Sequence, residues 1–203
     1  MITIIDYGMG NLGSVKNMFK RIGVPSEISG DPEVIAHATK LLLPGVGAFD
    51  AAMEKIAESG LRSILDQKVT GEKIPTLGIC LGMQLLTHSS EEGVLPGLKW
   101  IPAKTLKFKF DPGTTLKIPH MGWNRVFEKK QSPLTKDLPE EPRFYFVHSY
   151  YVQCDNEKDV LTTTPYGTDF HSIVQKDNVY GAQFHPEKSH KFGMKLLENF
   201  AKL

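Results

Sequence analysis

The segment from Ile74 to Gln84 constrains the fold of this chain more than any other. It is an apolar, strand-like run that ends at Cys80, between Gly78 and Gly82, and a helical pattern follows it. Glycine lacks the Cβ that forbids sharp backbone turns, so the two glycines allow the strand to pass directly into the helix. The G-x-C-x-G spacing therefore predicts a nucleophile elbow that raises the thiol above the end of a sheet.

The elbow also places the Cys80 thiol at the N-terminus of the following helix. The partial positive charge of the free N–H groups there favours the thiolate over the thiol. A small buried cysteine at the end of a strand is the alternative, since free cysteines are often of that kind. A catalytic role for Cys80 thus depends on whether the chain supplies a base.

Strands and helices alternate along the first half of the chain. Ile2–Ile5, Leu41–Leu43 and Ile74–Ile79 have the apolar sequences of buried strands, and Leu41–Leu43 is expected to be cut off by Pro44-Gly45. Helical patterns include Asn11–Ile22 and Phe49–Ala57. All-apolar strands separated by helices are typical of a parallel sheet that is covered on both faces.

The second half has shorter strands, punctuated by Pro, Gly and Lys. Asp111-Pro-Gly113 predicts a turn between the strand segments Lys104–Phe110 and Thr115–Ile118, Phe144–Tyr151 predicts one aromatic strand, and Lys176-Asp-Asn178 predicts a hairpin. A final helix is expected over roughly Lys191–Ala201. We therefore predict one α/β domain over residues 1–203, flavodoxin-like, whose mostly parallel sheet is flanked by helices and has an antiparallel extension.

Composition excludes several classes of protein. Lys and Arg number 24 against 23 Asp and Glu, so the net charge of +1 gives no overall attraction to nucleic acid or to an anionic membrane. Only two cysteines occur, and no basic segment precedes the first strand, so we expect a cytoplasmic protein rather than a secreted disulfide scaffold. Cys154 has no visible base and is expected to be structural. The histidines show no metal-ligand spacing, so neither a metal nor another cofactor is expected.

The segment Gln183-Phe-His-Pro-Glu187 supplies the base that the elbow requires. His185 follows a predicted strand, and Glu187 lies two residues further on. A thiol nucleophile needs a base to take its proton, and the base needs an acceptor that orients it. An isolated His-x-Glu pair is more often an unrelated surface pair. Together with the elbow, it predicts a triad of Cys80, His185 and Glu187.

These motifs resemble the class I, triad-type glutamine amidotransferases. The resemblance implies that Cys80 attacks the side-chain amide of L-glutamine, that His185 acts first as base and then as acid toward the departing ammonia, and that Glu187 orients His185. It also implies backbone oxyanion donors at Leu81 and at Val46 or Gly47. The substrate-binding positions that it implies are Gly45, Gln84, Ser149 and Tyr150.

Further segments narrow the resemblance to the glutaminase subunits of imidazole glycerol phosphate synthase. These segments are Asp6–Leu12, Pro119–Asn124, Tyr145–Tyr150 and His185–Ser189. The resemblance implies a heterodimer with a (β/α)8-barrel cyclase, which uses the ammonia to make imidazole glycerol phosphate and AICAR from PRFAR. Free ammonia would be lost to solvent, so the glutaminase must face its partner directly. The candidate interface residues are Asn11, Met121, Trp123, Asn124, Tyr145 and Lys188, with Trp123, in a loop-like setting, as the preferred anchor.

The sequence departs from the usual pattern of that family at three places, namely Ala48, Thr87-His88 and Ser189–Met194. The segment Ser189–Met194 resembles that of paralogues that supply ammonia to sugar amidotransferases in surface polysaccharide synthesis, so the acceptor pathway stays open. A catalytically silent regulatory subunit on the same fold is a second alternative, which the intact triad opposes. A third is a cysteine-dependent hydrolase or chaperone-like protein, which would share the elbow but lack the His-Pro-Glu loop.

Overall fold

The computed structural model describes all residues from Met1 to Leu203. The strands are β1 (Ile2–Ile5), β2 (Ser26–Ser29), β3 (Leu41–Gly45), β4 (Thr76–Cys80), β5 (Ser89–Ser90), β6 (Ala103–Lys107), β7 (His120–Arg125), β8 (Phe127–Glu128), β9 (Arg143–His148), β10 (Tyr150–Cys154), β11 (Val160–Pro165), β12 (Asp169–Lys176) and β13 (Val179–Ala182). The α-helices are α1 (Leu12–Arg21), α2 (Pro32–Ala36), α3 (Phe49–Glu58), α4 (Arg62–Asp66), α5 (Leu81–Leu85) and α6 (His190–Lys202). Short helical turns cover Gln67–Gly71, Pro133–Thr135, Glu157–Asp159 and Pro186–Lys188.

Eleven strands form one sheet, in the order β2-β1-β3-β4-β13-β12-β10-β6-β5, and β11 continues it from β12 to β8. The strands from β2 to β13 in that order are parallel, whereas β13, β12, β10 and β6 pair in antiparallel fashion. Strands β7 and β9 form a separate antiparallel pair. The predicted α/β fold, with a parallel sheet and an antiparallel extension, is confirmed.

Two apolar cores of 26 and 24 buried residues cover the two faces of the main sheet. Leu41 and Leu43 of β3 enter the first core, and Leu42 between them enters the second. Helix α1 packs Val15 and Phe19 into the second core. Because both faces are covered, the strands need apolar residues at consecutive positions, as the sequence shows. None of the helices is both long and apolar enough to cross a lipid bilayer.

Strand β3 does not end before Pro44, contrary to the sequence prediction. It continues through Pro44 and Gly45, which pair with the last two residues of β4. A proline is tolerated there because β1 pairs with β3 only at Leu41 and Leu42, so Pro44 need not donate an N–H on that side. The extension brings Gly45 directly beside Cys80.

Two predictions for the second half are wrong. The turn at Pro112-Gly113 is present, but residues 114–119 form no strand after it, because β6 already pairs with β10 and β5 and has no free edge for a further strand. The aromatic run Phe144–Tyr151 is divided at Ser149 between β9 and β10, which belong to different sheets. Phe144 stacks on Phe184, with ring centroids 3.8 Å apart, so β9 packs on a core face instead of extending the main sheet.

Candidate active site

Cys80 lies at a strained turn between β4 and α5. Its backbone φ is 54° and its ψ is −113°, a conformation that residues with a Cβ rarely adopt. The turn presses Gly82 against the carbonyl oxygen of Leu43, which a Cβ on Gly82 would overlap. Gly78 is crowded in turn by the backbone of Gly82 and Met83. The predicted elbow geometry is present, and close packing requires the glycine on each side of Cys80.

His185 and Glu187 form a buried pair beside the elbow. His185 Nδ1 lies 2.8 Å from Glu187 Oε1, and the two side chains are 4% and 2% exposed. The other carboxylate oxygen, Glu187 Oε2, is buried and has no hydrogen-bond partner. Because Nδ1 faces the carboxylate, Nε2 is the ring nitrogen that remains for a thiol or a substrate.

The pKa of His185 reflects three opposing influences. Burial lowers it, but the hydrogen bonds and the negative charges of Cys80 and Glu187 outweigh the burial and raise the pKa from 6.5 to about 9. Protonated His185 therefore stabilises the folded state. This contribution is fully present below the unfolded-state pKa of about 6.5 and is lost as the pH rises through about 9.

Replacement of His185 should consequently destabilise the protein in a pH-dependent way. We expect His185→Gln to lower the free energy of unfolding more at about pH 6 than at about pH 9.5. Urea unfolding of both proteins at each pH measures the difference, with His88→Gln, outside the cavity described below, as the control. A loss of stability that grows with pH would contradict this assignment.

Two buried glutamines, Gln84 and Gln183, connect Cys80 with strand β10. Gln84 Nε2 donates to Tyr150 O at 3.1 Å and to Gln183 Oε1 at 3.2 Å. Gln183 Nε2 lies 4.0 Å from Cys80 Sγ. Since both amide hydrogens of Gln84 are engaged, its oxygen Oε1 is the atom that remains for a ligand.

One cavity of about 340 Å³ gathers most of the predicted catalytic, oxyanion and substrate-binding residues. Its lining consists of Val46, Gly47, Cys80, Leu81, Gln84, Glu92, Pro119, Val147, His148, Ser149, Tyr150 and His185. Gly45 lies behind this lining, where an added Cβ would be 2.8 Å from both Gly82 N and Tyr7 Oη. A larger cleft of about 900 Å³, lined mostly by residues 125–142, contains neither a cysteine nor a histidine, so the side chains present and not the volume single out the smaller cavity.

The segment predicted to bind an oxyanion borders this cavity. Gly47 has a φ of 106°, which glycine adopts without strain, and Val46 is 44% exposed. Met9, from the loop after β1, packs against Gly47. Leu81 is the first residue of α5, and the first N–H groups of a helix have no partner within it. The predicted donors therefore lie on both sides of Cys80, and their role stays a prediction.

Four lining residues were not predicted from the sequence, namely Glu92, Pro119, Val147 and His148. Glu92 supplies the only carboxylate of the lining, and its Oε2 accepts from Phe49 N at 2.9 Å. Burial raises the pKa of Glu92, which shows that the carboxyl group is partly withdrawn from water. A Glu-Glu pair in a loop carries no distinguishing sequence signal, so only the fold reveals it.

An outer aromatic face, made of Met121, Trp123, Tyr145, Lys188 and His190, covers the β7–β9 sheet. Met121 is 62% and Trp123 45% exposed. Trp123 lies in strand β7, not in a loop as predicted, and pairs with Tyr145 on β9. Its ring stacks on His190 at 5.5 Å, and Lys188 Nζ lies 5.8 Å from the centre of the Tyr145 ring.

Two other predicted interface residues have side chains engaged within the chain. Asn11 Oδ1 caps helix α1 by accepting from Ser14 N at 3.4 Å. Asn124 Nδ2 donates to Pro165 O at 2.9 Å and lies 3.3 Å from His120 Nε2. The side chains of Asn11 and Asn124 therefore stabilise the fold of the chain itself.

The second cysteine lies far from this chemistry. Cys154 is buried in the first core, whereas Cys80 belongs to the second core, on the opposite face of the sheet. Burial, together with the nearby carboxylates of Asp159, Glu157 and Asp155, raises the pKa of Cys154 to about 12. The neutral thiol is a poor nucleophile, which agrees with a structural role.

Comparison with known proteins places this geometry in a family context. A family model described as Glutamine amidotransferase class-I matches residues 3–203. The chain is 61% identical over 202 residues to imidazole glycerol phosphate synthase subunit HisH 2 of Methanococcus maripaludis, covering 100% of this chain and 99% of the relative. It is 49% identical to the HisH subunit of Bdellovibrio bacteriovorus and 48% identical to HisH 2 of Pseudomonas aeruginosa, with full coverage of both chains in each case.

Solved structures agree in fold. A crystal structure of a glutamine amidotransferase superimposes with a TM-score of 0.72 at 19% identity, covering 100% of both chains. The structure of PurLQS from Thermotoga maritima gives a TM-score of 0.69 at 18% identity, covering 99% of this chain and 97% of the other. At such identities the likeness concerns the fold alone.

Proposed function

Since the chain belongs to the class-I glutamine amidotransferases and, within them, to the HisH subunits of imidazole glycerol phosphate synthase, we propose that it hydrolyses glutamine at Cys80 and passes the ammonia to a cyclase subunit. The observation that carries this proposal is the elbow of Cys80 beside the buried His185–Glu187 pair. The substrate is L-glutamine, the products are glutamate and ammonia, and the reaction takes place in the cytoplasm.

The arrangement supports acyl transfer by a thiol. His185 Nε2 holds the proton taken from Cys80, in agreement with its raised pKa, and Sγ attacks the amide carbon of glutamine. The resulting oxyanion accepts hydrogen bonds from Leu81 N–H and from the N–H of Val46 or Gly47. His185 returns the proton to the leaving nitrogen, ammonia departs, and a thioester remains. Water, deprotonated by His185, then releases glutamate, while Glu187 holds His185 in the required tautomer.

Two side chains suit the remaining groups of glutamine. The carboxylate of Glu92 is the negative charge in the cavity lining that can pair with the α-ammonium group. Gln84 Oε1 can accept a hydrogen bond from the substrate, because the amide hydrogens of Gln84 are already engaged. The Ser149–Tyr150 segment forms the facing wall.

Neutralisation of Glu92 should therefore weaken substrate binding. We expect Glu92→Gln to raise the KM for glutamine by about 10- to 100-fold, since a hydrogen bond to a charged group contributes about 1.5–3 kcal/mol, with a smaller change in kcat. Steady-state kinetics of the complex measure both constants. The adjacent Glu91→Gln is a matched control, because Glu91 instead pairs with Lys109 at 2.9 Å and does not line the cavity. An unchanged KM in Glu92→Gln would remove Glu92 from the substrate site.

The outer aromatic face is the surface we assign to the cyclase partner. Trp123 combines partial exposure with packing against Tyr145 and His190, which fixes the indole for contact with another protein. Rigid aromatic side chains of this kind dominate binding energy at interfaces. The (β/α)8-barrel form of the partner is part of the proposal.

Truncation of Trp123 should reduce the affinity for that partner. We expect Trp123→Ala to raise the Kd of the heterodimer by about tenfold or more, as a loss of at least about 1.4 kcal/mol implies. Phe127→Ala is the control, because Phe127 is 44% exposed but lies on β8 in the main sheet. Equal effects of the two substitutions, measured by isothermal titration, would place the interface elsewhere.

Glutamate release by the purified chain, alone and with the cyclase subunit and its ligand, tests the proposed function. We expect weak hydrolysis by the chain alone, because the Gly-Val-Gly oxyanion segment needs the partner to align its donors. The complex should hydrolyse glutamine readily. Failure of the complex to release glutamate would reject the proposal, and full turnover by the isolated chain would reject the dependence on the partner.

Two observations bear on a second acceptor pathway. His190, in the segment that departs from the family pattern, stacks on Trp123 within the outer aromatic face. The relatives from Methanococcus maripaludis and Pseudomonas aeruginosa are both numbered HisH 2. The same glutaminase chemistry could then serve a sugar amidotransferase. Stimulation of glutamate release by that enzyme, and not by the cyclase, would identify it as the partner.

The departure at Thr87 has a structural reason instead. Thr87 Oγ1 donates to Gln84 O at 2.8 Å and lies 3.2 Å from Thr105 Oγ1. Thr87 thus caps the C-terminal end of α5 on its buried side. This position therefore carries no information about the acceptor.

A further inference from the structure

A line of hydrogen bonds crosses the interior from Asn124 on strand β7 to the cavity of about 340 Å³ beside Cys80, which we call the glutamine cavity. Asn124 Nδ2 lies 3.3 Å from His120 Nε2, and His120 Nδ1 lies 2.9 Å from His148 Nε2. His148 Nδ1 lies 2.7 Å from Tyr150 O. The residues His120 and His148 are buried, at 3% and 5% exposed, and neither takes part in the triad.

The amide of Asn124 fixes the direction of the line at its outer end. Asn124 Nδ2 donates to Pro165 O at 2.9 Å, and Asn124 Oδ1 accepts from Arg125 N at 2.8 Å. The amide cannot be flipped without losing both bonds. It therefore presents an N–H, and not an oxygen, to His120 Nε2.

The carbonyl of Tyr150 fixes the direction at the inner end. A carbonyl oxygen only accepts, so His148 Nδ1 must carry its hydrogen. Burial lowers the pKa of His148 to about 3 and that of His120 to about 4, so both rings are neutral near pH 7. His148 Nε2 then accepts from His120 Nδ1–H, and every bond in the line points toward the cavity.

Aromatic rings hold His120 in this orientation. It lies between Phe146 and Tyr166, with ring centroids 4.9 Å and 3.9 Å away and an interplanar angle of 27° to each. Tyr166 is itself anchored, because its hydroxyl donates to Lys117 O at 2.7 Å. The stacking fixes the ring plane, and the hydrogen bonds fix the rotation within it.

The line continues beyond Tyr150 to the nucleophile. The oxygen that accepts from His148 also accepts from Gln84 Nε2 at 3.1 Å. Gln84 binds Gln183, and Gln183 Nε2 reaches to within 4.0 Å of Cys80 Sγ. Gln84 and Gln183 are 4% and 0% exposed, so water cannot readily replace these bonds.

We propose that His120 and His148 are positioning residues for glutamine hydrolysis, which hold the Tyr150 carbonyl and, through it, Gln84 in the geometry that binds substrate. The inference rests on the proposed glutaminase function. Without a donor at residue 120, His148 Nε2 is a buried acceptor with no partner, so the ring is no longer held in the orientation that lets Nδ1–H reach Tyr150 O. The Ser149–Tyr150 wall then moves and Gln84 loses an anchor. We therefore expect the affinity for glutamine to fall more than the rate of the chemical step.

Nitrogen-15 NMR of the full chain, labelled at histidine, tests the tautomers directly and needs no substrate. We expect neutral Nδ1–H signals for His120 and His148 near pH 7 and still at about pH 5, with His120→Phe and His148→Asn used for assignment. In His120→Phe, His148 should keep its neutral Nδ1–H form, but the Nε2 signal should shift because Nε2 loses the hydrogen bond from residue 120. A neutral Nε2–H form, or a protonated ring at about pH 6, at either residue of the unaltered chain would overturn the proposal.

Kinetics of the complex with the cyclase test the effect on substrate. His120→Phe removes the donor and keeps a ring for the stack, whereas His120→Asn keeps an N–H near the position of Nδ1. We expect His120→Phe to raise the KM for glutamine about tenfold with less than about a threefold loss in kcat, and His120→Asn to recover most of that affinity. His171→Phe, at another buried histidine whose Nδ1 accepts from Cys154 N, should leave KM unchanged.

The outcomes separate this inference from the function on which it rests. Equal KM values for His120→Phe and the wild-type complex would overturn the positioning role and leave the glutaminase intact. Absence of glutamate release by the wild-type complex would reject the glutaminase function itself. If His120→Phe does not fold, the tautomers of the unaltered chain still decide the proposal.

Discussion

Cys80→Ala is expected to reduce glutamine hydrolysis by a factor of about 1,000 or more and to leave the heterodimer assembled. The sulfur is the atom that would form the acyl bond, and no other thiol can take its place. Cys154 is on the opposite face of the sheet and holds its proton up to a pKa of about 12. Initial rates of glutamate release by the complex measure the loss.

Two controls make this experiment specific. Cys154→Ala should leave the rate of glutamate release near that of the wild type. Ammonium salt supplied to the Cys80→Ala complex should restore synthesis at the partner, because only the source of ammonia has been removed. Glutamate release by Cys80→Ala within about tenfold of the wild-type rate would rule out Cys80 as the nucleophile.

Gly82→Ala is expected to prevent folding, or to cost more than about 4 kcal/mol of stability. Its Cβ would overlap the carbonyl oxygen of Leu43. That oxygen belongs to β3, whose backbone is held by pairing with β4, so neither side can yield. Soluble yield and urea unfolding measure the effect.

Gly13→Ala is the matched control for the same chemical change. Gly13 lies in helix α1, and an added Cβ would meet no atom within 4 Å. Alanine in a helix is favoured over glycine by up to about 1 kcal/mol, so this variant should be as stable as the wild type or more stable. A Gly82→Ala protein with the unfolding midpoint of the wild type would show that the elbow does not need its glycine.

The parts of the site that the sequence predicts are those encoded locally. Gly78 and Gly82 flank Cys80 within five residues, and His185 and Glu187 share one loop, so their relation depends little on the rest of the fold. The burial of the apolar strands is likewise visible in the sequence, because most of their buried positions carry an apolar residue. Local patterns therefore sufficed for the elbow, the His–Glu pair and the parallel half of the sheet.

The parts that it does not predict arise from contacts between distant segments. Glu92 lines the cavity because its loop folds over the start of α3. His120 and His148 meet only because β7 pairs with β9. The division of the aromatic run at Ser149 depends on the competition of two sheets for adjacent residues, which periodicity within one strand does not reveal.

The placement of the two cysteines has a consequence for oxidation. A sulfenic acid on Cys80 is normally rescued by a second thiol that condenses with it to a disulfide. A disulfide requires Cβ atoms about 4 Å apart, and the main sheet lies between Cys80 and Cys154. The chain thus lacks an internal resolving thiol, and an oxidised Cys80 depends for recovery on a small reductant that can enter the glutamine cavity.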